Sequence, residues 1–296
     1  MTVNPIGINE HIPIYRKENM MEISRKAETI KELESVYDML SLKGKVALVT
    51  GGGGGIGRST SAAMAELGAK VMLMDVPSQQ ENLKRIVEDI KNRYGAECDY
   101  VLGDVRDVSS IESFVNETCI RFKTIDILHN NAGIGVSGDN VDISNEAWDN
   151  IVAVNLTGPM LVAQAVIKVM KERNKGGSII TTSSMSGVIV NTGPGYAATK
   201  AGVRHMTNSL AMALAKENIR CNSVCYGYIL SGMHENMGIY DETRLEQMYR
   251  RFEETTPMKR MGTLSEVVGC VVYLASDLAR FTTGTSIICD GGFCTK

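Results

Sequence analysis

A chain of 296 residues with 44% apolar and 22% charged side chains can bury a sizeable core, as one large domain or two small ones. Its formal net charge of -3 gives no electrostatic reason to expect nucleic acid or an anionic membrane as partner, and no stretch approaches the apolar length needed to cross a bilayer. Met1 to Tyr15 lacks the apolar core of a secretion signal, so a cytoplasmic location is expected.

The cysteines, at 98, 119, 221, 225, 270, 289 and 294, are odd in number and scattered, which argues against a disulfide framework in a chain of this size. No paired histidine lies near Cys221 and Cys225 in sequence, so they read as small buried apolar residues of a strand and no metal is assigned. In residues 1–43, Ile23, Ala27, Ile30, Leu33, Val36 and Leu40 recur at steps of three and four between Glu, Lys and Arg. That stripe predicts an amphipathic helix. Such an extension would pack on its own domain or on a neighbouring subunit, with a regulatory or targeting role as the alternative.

From Lys45 the pattern changes. Val46-Ala47-Leu48-Val49 predicts a buried strand, Arg58 to Leu67 a helix stopped by Gly68, and Val71 to Met74 a second strand ending at Asp75. A helix from Leu83 to Tyr94 stops at Gly95 before a strand from Asp99 to Leu102, and a helix from Ile111 to Phe122 precedes a strand from Ile125 to Leu128. Further helix and strand units pass through Gly177 to Ile180 and Ile219 to Val224, and Ser286 to Cys289 forms the last strand. Continuous apolar strands alternating with helices predict an α/β fold, a parallel sheet covered on both faces. With no linker or break in composition, residues 44–296 read as one domain.

Thr50 to Gly57 reads TGGGGGIG between the first strand and its helix. A strand-to-helix turn aims free N–H groups and the positive end of the helix dipole at a pyrophosphate, and glycines let it approach. Gly51, Gly55, Ile56 and Gly57 are the candidate phosphate contacts. Asp75 ends the next strand, near the distance at which a carboxylate meets the adenosine ribose. A carboxylate there repels a 2′-phosphate, and Gly54, Val76 and Pro77 offer no cation to hold one, so NAD is favoured over NADP. Asp104 and Val105 follow the third strand, and Asn131, Ala132 and Gly133 the fourth, at the strand ends where open α/β sheets bind ligands.

Tyr196-Ala197-Ala198-Thr199-Lys200 opens a helix, and a spacing of four puts Tyr196 and Lys200 on one face. A nearby ammonium and the positive nicotinamide ring both favour a phenolate; lowering its pKa by ~3 units would make the phenol a usable base for an alcohol proton. Ser183 and Ser184 end the preceding strand, where a hydroxyl could hold a substrate oxygen or cap a turn. Asn155 is a polar residue in an apolar helical stretch, and so is either a structural bridge or part of a proton path to Lys200.

Together, TGGGGGIG, Asp104-Val105, Asn130-Asn131-Ala132-Gly133, Asn155, the serine before YAATK and YAATK itself resemble the short-chain dehydrogenase/reductase family, over about Leu42 to Lys296. The resemblance implies a doubly wound Rossmann-type domain, usually a homotetramer, that moves a hydride reversibly at a carbinol carbon. It implies Tyr196 as acid/base and Ser184 as the group orienting the substrate oxygen, chosen over Ser183 because Ser184-Met185-Ser186-Gly187 fits the family's S-x-x-G step. It also implies that Lys200 lowers the tyrosine pKa and holds the nicotinamide ribose, that Asn155 fixes a water beside Lys200, and that Ile229 offers its backbone to the carboxamide. Tyr226 stands where many members carry proline, and residues 231–251 match the variable substrate lid. Leu42-Lys43-Gly44-Lys45, the Thr182 to Gly187 segment and Asp290-Gly291-Gly292-Phe293-Cys294 resemble the mannitol/sorbose/xylulose reductase branch. The expected substrate is a small-molecule alcohol or ketone, first a polyol/ketose pair, then a hydroxysteroid or bile acid, then a 3-oxoacyl compound. A non-catalytic NAD-binding scaffold is disfavoured because Tyr196 and Lys200 are both present.

Overall fold

The structure is a computed structural model that describes residues 33–232 and 241–295. Residues 40–296 form one compact unit. Of the amphipathic stripe, Ile23, Ala27 and Ile30 lie outside the described residues. The described part corrects the continuous helix: residues 33–35 are not helical, and α1 (Val36–Leu40) is five residues long. Leu33, Val36 and Tyr37 are exposed, and a one-turn helix without packing is marginal.

The sheet has seven parallel strands in the order β3-β2-β1-β4-β5-β6-β7: β1 (Val46–Thr50), β2 (Lys70–Asp75), β3 (Cys98–Leu102), β4 (Ile127–Asn130), β5 (Gly177–Ser184), β6 (Ile219–Tyr226) and β7 (Ser286–Cys289). The order reverses between β1 and β4, which is the doubly wound arrangement and opens a crevice at the carboxyl ends of those strands. Helices α2 (Gly55–Glu66), α3 (Gln80–Tyr94) and α4 (Val108–Phe122) follow the first three strands. Then come α5 (Asn145–Val152), α6 (Gly158–Arg173), α7 (Pro194–Leu214), α8 (Glu242–Thr255) and α9 (Leu264–Ala275).

Alternation along each strand makes two cores. Ala47 and Val49 of β1 join Val71, Leu73, Met64, Leu83 and Val271 on one face, while Val46 and Leu48 join Met72, Phe114, Val162 and Ile179 on the other. Cys221 and Cys225 are fully buried in β6, as small apolar residues should be. Gly95 ends α3 with φ +63°, a left-handed stop. One expectation is corrected: the helical run 145–173 does reach the length and apolar composition of a bilayer span. Its Val162, Val166 and Met170 are fully buried in the second core, which is the composition a core helix needs.

Asp126 ties the lower edge of this frame together. It is 5% exposed, its Oδ2 accepts from the Val46 N–H at 2.8 Å, and its other oxygen pairs with Arg173 at the end of α6. Asp126→Ala leaves the buried Val46 N–H without an acceptor and Arg173 with only the Gly176 carbonyl. We expect a loss of about 3 kcal/mol in urea denaturation; a loss below about 1 kcal/mol would show that the pair contributes little.

Candidate active site

After Thr50 the chain turns through Gly51 at φ +66° and enters α2. Gly54 precedes α2 with no side-chain cap, so the first amides of the helix, at Gly55, Ile56 and Gly57, face the crevice end of the sheet without a capping oxygen. A Cβ on Gly57 would lie 2.1 Å from the Gly51 carbonyl oxygen, and one on Gly55 2.4 Å from that of Ser231. No larger residue fits either place, so the turn keeps a bare backbone cradle that suits a dinucleotide pyrophosphate. Asp75 closes its side: one carboxylate oxygen accepts from Gly53 N–H at 2.9 Å and the other from Val76 N–H at 2.8 Å. Burial raises the Asp75 carboxyl above the ordinary carboxylate range, and the two N–H groups oppose that rise. Asp104 stands beyond β3 with its carboxylate engaged by the Arg106 guanidinium, at 2.6–3.0 Å, which holds its pKa below the ordinary range. Val105 beside it is buried against Gly158.

The floor is built from β4. Thr50 Oγ1 accepts from the N–H groups of Asn131 and Ala132, both at 3.0 Å, and the Asn131 side-chain amide donates to the Thr50 carbonyl at 3.1 Å. A Cβ on Gly133 would lie 3.2 Å from Lys200 Nζ and 3.4 Å from Asn155 Oδ1, so the bare backbone there lets both groups come close to one point. Asn155 sits in a π-turn, Ala153–Thr157, between α5 and α6. Its Oδ1 accepts from Ile134 N–H and its Nδ2 donates to the Ile134 carbonyl, each at 2.8 Å. Asn155 is therefore a bridge to the loop after β4, and it also lies beside Lys200.

Helix α7 carries the other half. Gly193 has no side chain to cap it, and Pro194 starts the first turn. Asp139, from the loop after β4, caps it instead: its two carboxylate oxygens accept from Gly195 N–H and Tyr196 N–H, each at 2.8 Å. Lys200 Nζ lies 5.5 Å from the Tyr196 ring centre and donates to the Thr182 carbonyl at 3.1 Å. Ser184 ends β5 beside the Tyr196 phenol, and its hydroxyl donates to Ser186 Oγ and accepts from Ser186 N–H, each at 3.2 Å. Ser183 turns away and donates to the Lys200 carbonyl at 2.7 Å, so of the two serines only Ser184 faces the phenol.

Ile229 is buried on the far side, bridged to Gly262. Tyr226, at the expected proline position, continues β6 in register with Ser184 and Cys289 and is 4% exposed. Of the lid, α8 is described, while residues 233–240 lie outside the described residues. Tyr228 stacks on Phe252 of α8 at 3.8 Å.

The structure thus brings Asn155, Ser184, Tyr196 and Lys200 together beside Gly133, with the glycine turn and Asp75 along the neighbouring strand ends. Sequence reasoning missed Asp139, Thr182 and Ser231. Thr182 and Ser231 act here through backbone carbonyls, which leave no residue-type signal. Asp139 lies 56 residues from the amide it caps.

A family model described as enoyl-(acyl carrier protein) reductase matches residues 51–294. A sorbose reductase of Candida albicans is 37% identical over 88% of this chain and 90% of its own length. The 3-oxoacyl-(acyl-carrier-protein) reductase of Thermotoga maritima is 38% identical over 86% of this chain and 99% of its own. The chain belongs to the short-chain dehydrogenase/reductase family. An NADP-dependent mannitol dehydrogenase of Hypocrea jecorina is 33% identical over 88% of this chain and 96% of its own. Among solved structures, a short-chain type dehydrogenase/reductase from Mycobacterium marinum superposes with a TM-score of 0.81 at 35% identity, covering 88% of this chain and 99% of that one.

In this short-chain dehydrogenase/reductase burial opposes the tuning of the tyrosine that the sequence leads one to expect. Burial pushes the Tyr196 phenol up to about 12, with the Ser184 hydrogen bond pulling the other way. Burial also pushes Lys200 down to about 8, which still leaves it mostly an ammonium near neutral pH. The physical reason is desolvation: both groups sit in a low-dielectric crevice that disfavours their charged forms.

Lys200 is 3% exposed. A lysine whose folded pKa is depressed from 10.5 to about 8 costs stability below the folded pKa, and that cost fades as pH rises through the unfolded value. Lys200→Met should therefore stabilise the fold near pH ~7, by on the order of 3 kcal/mol before packing losses. Its advantage over the parent should shrink toward pH ~10 in urea denaturation. A difference that does not change with pH would mean the ammonium is not desolvated.

Proposed function

We propose that this oxidoreductase is an NAD-linked dehydrogenase/reductase that interconverts a secondary alcohol and a ketone, with a polyol/ketose pair as substrate. The observation that carries the reading is the convergence of Ser184, Tyr196, Lys200 and Asn155 at one end of the glycine-lined crevice. The bound dinucleotide supplies the acceptor or donor for the hydride of the carbinol carbon. Gly51, Gly55, Ile56 and Gly57 hold its phosphates, Asn131, Ala132 and Gly133 lie under its riboses, and Asp104 and Val105 flank the adenine. Ile229 meets the carboxamide.

The chain's own residues handle the oxygen and its proton. Ser184 holds the substrate oxygen next to the phenol. Tyr196 takes the hydroxyl proton in oxidation and returns it in reduction. Lys200 favours the phenolate and holds the nicotinamide ribose, while Asn155 keeps a water that relays protons from Lys200. Because burial alone holds the phenol near 12, the phenolate depends on further positive charge in the crevice, which the oxidised nicotinamide ring carries. Asp75 supports NAD over NADP, since its carboxylate repels a 2′-phosphate and Gly54 offers no cation to bind one. Sorbose reductase and mannitol dehydrogenase relatives support the polyol/ketose choice, and the Thermotoga maritima relative supports a 3-oxoacyl substrate as the second reading. The family resemblance supports a homotetramer, with residues 1–43 as an extension of the catalytic domain at 44–296.

Purified protein assayed with NAD and NADP on polyols, hydroxysteroids and 3-oxoacyl thioesters should turn over a polyol with NAD. Turnover confined to a thioester would replace the substrate assignment. Tyr196→Phe should lower kcat by about a hundredfold or more while NADH binding, read by fluorescence, stays within about twofold. Unchanged turnover would refute the mechanism. In the parent, kcat/KM should favour NAD, and Asp75→Ser should cut that preference by about tenfold or more; a parent that prefers NADP sinks the role of Asp75.

A further inference from the structure

His129 lies in the middle of β4, between Val49 of β1 and Ile180 of β5, and is fully buried. Both of its ring nitrogens face a threonine hydroxyl: Nδ1 lies 3.0 Å from Thr60 Oγ1 and Nε2 lies 3.1 Å from Thr182 Oγ1. Thr60 belongs to α2, one turn after the glycine run, and Thr182 belongs to β5, where its carbonyl receives the Lys200 ammonium at 3.1 Å. The imidazole thus spans from the cofactor helix to the strand on which Lys200 rests.

The direction of every bond in this chain follows from the donors available. The Asn131 side-chain nitrogen donates to the carbonyls of Thr50 at 3.1 Å and Gly51 at 3.3 Å, and carbonyls accept only, so the amide cannot be turned the other way. Its oxygen therefore faces Thr182 Oγ1 at 3.0 Å and needs the Thr182 proton. With that proton committed, Thr182 can only accept from His129, so Nε2 carries the ring hydrogen. Burial holds the imidazole neutral, with its pKa down to about 3, so Nδ1 is bare. Thr60 must then donate to Nδ1 rather than to the Ile56 or Gly57 carbonyls also within its reach at 2.9 and 3.1 Å. A ring nitrogen sealed from water with no partner is costly, whereas helix carbonyls keep their own bonds.

The geometry points to His129 as a positioning residue for the dinucleotide site: as the neutral Nε2–H tautomer it closes a directed chain, Thr60 to His129 to Thr182 to Asn131 to the Thr50 and Gly51 carbonyls, that clamps the glycine turn from both ends. The inference rests on the dinucleotide reading given above. It adds a group that touches neither substrate nor cofactor but holds the turn and the Lys200 perch in one register. Thr182→Val would break the chain at the branch to Asn131, and His129→Leu at its centre.

The tautomer is read in protein without cofactor, by long-range proton–nitrogen NMR on 15N-histidine protein in which His11, His205 and His234 are glutamine. A hydrogen on Nε2 and none on Nδ1 is expected; a hydrogen on Nδ1 overturns the chain. Binding is read by NADH fluorescence. His129→Leu should weaken NADH about tenfold and raise the KM for the dinucleotide by a similar factor, with kcat at saturation changed by less than about threefold. Should that variant fail to fold, Thr60→Val should weaken NADH by about threefold and Thr60→Ser should restore it. Variants that only lower the melting temperature while binding NADH like the parent would reduce His129 to a core residue. A parent that binds no NADH would instead sink the dinucleotide reading and leave the tautomer result to stand by itself.

Discussion

The site depends on an ammonium held where water cannot reach it. Lys200 is 3% exposed, rests on the Thr182 carbonyl, and lies 5.5 Å from the Tyr196 ring centre. A buried cation is tolerated only with partners, and its pKa falls toward neutrality when those partners are few. The same desolvation that brings Lys200 to about 8 lifts Tyr196 to about 12, so burial holds the phenol neutral while the lysine stays mostly charged near neutral pH. Forming a phenolate there therefore needs further positive charge in the crevice, as the proposed mechanism supplies. That condition couples acid/base chemistry to occupancy of the dinucleotide turn.

The sheet makes that coupling local. Reversal of strand order between β1 and β4 puts the glycine turn, the Asn131–Gly133 floor and the end of β5 within one crevice. Gly133 carries no side chain, so the floor lies close to both Lys200 and Asn155. Asp139 crosses from the loop after β4 to hold the first two amides of the turn that bears Tyr196. Tyr196 and Lys200 on α7, Asn155 in the turn before α6 and Ser184 at the end of β5 thus meet at one end of the sheet.

Much of this was legible in the linear order of residues. Strand positions followed from short apolar runs, because a strand buried on both faces must be apolar throughout. The glycine turn, Asp75, Asn155, Ser184, Tyr196 and Lys200 stood out by residue type at a strand end, within an apolar stretch or at a spacing of four. The amphipathic stripe misled at residues 33–35, since periodicity reports what a helix would look like and not whether anything packs on it. The run 145–173 was overlooked as a helix of bilayer length; a core helix and a membrane span meet the same apolar requirement.

By itself, the sequence determined the α/β alternation, the glycine turn and the family motifs that include Tyr196 and Lys200. Those depend on residue type and short spacing, which a chain carries without being folded. Only the tertiary structure decided the rest: which serine faces the phenol, that Asp139 caps α7, that burial raises Tyr196 and depresses Lys200, and that His129 joins Thr60 to Thr182. Each of these is a contact between segments dozens of residues apart or a consequence of losing water. Distance in space and access to solvent exist only once the chain has closed on itself.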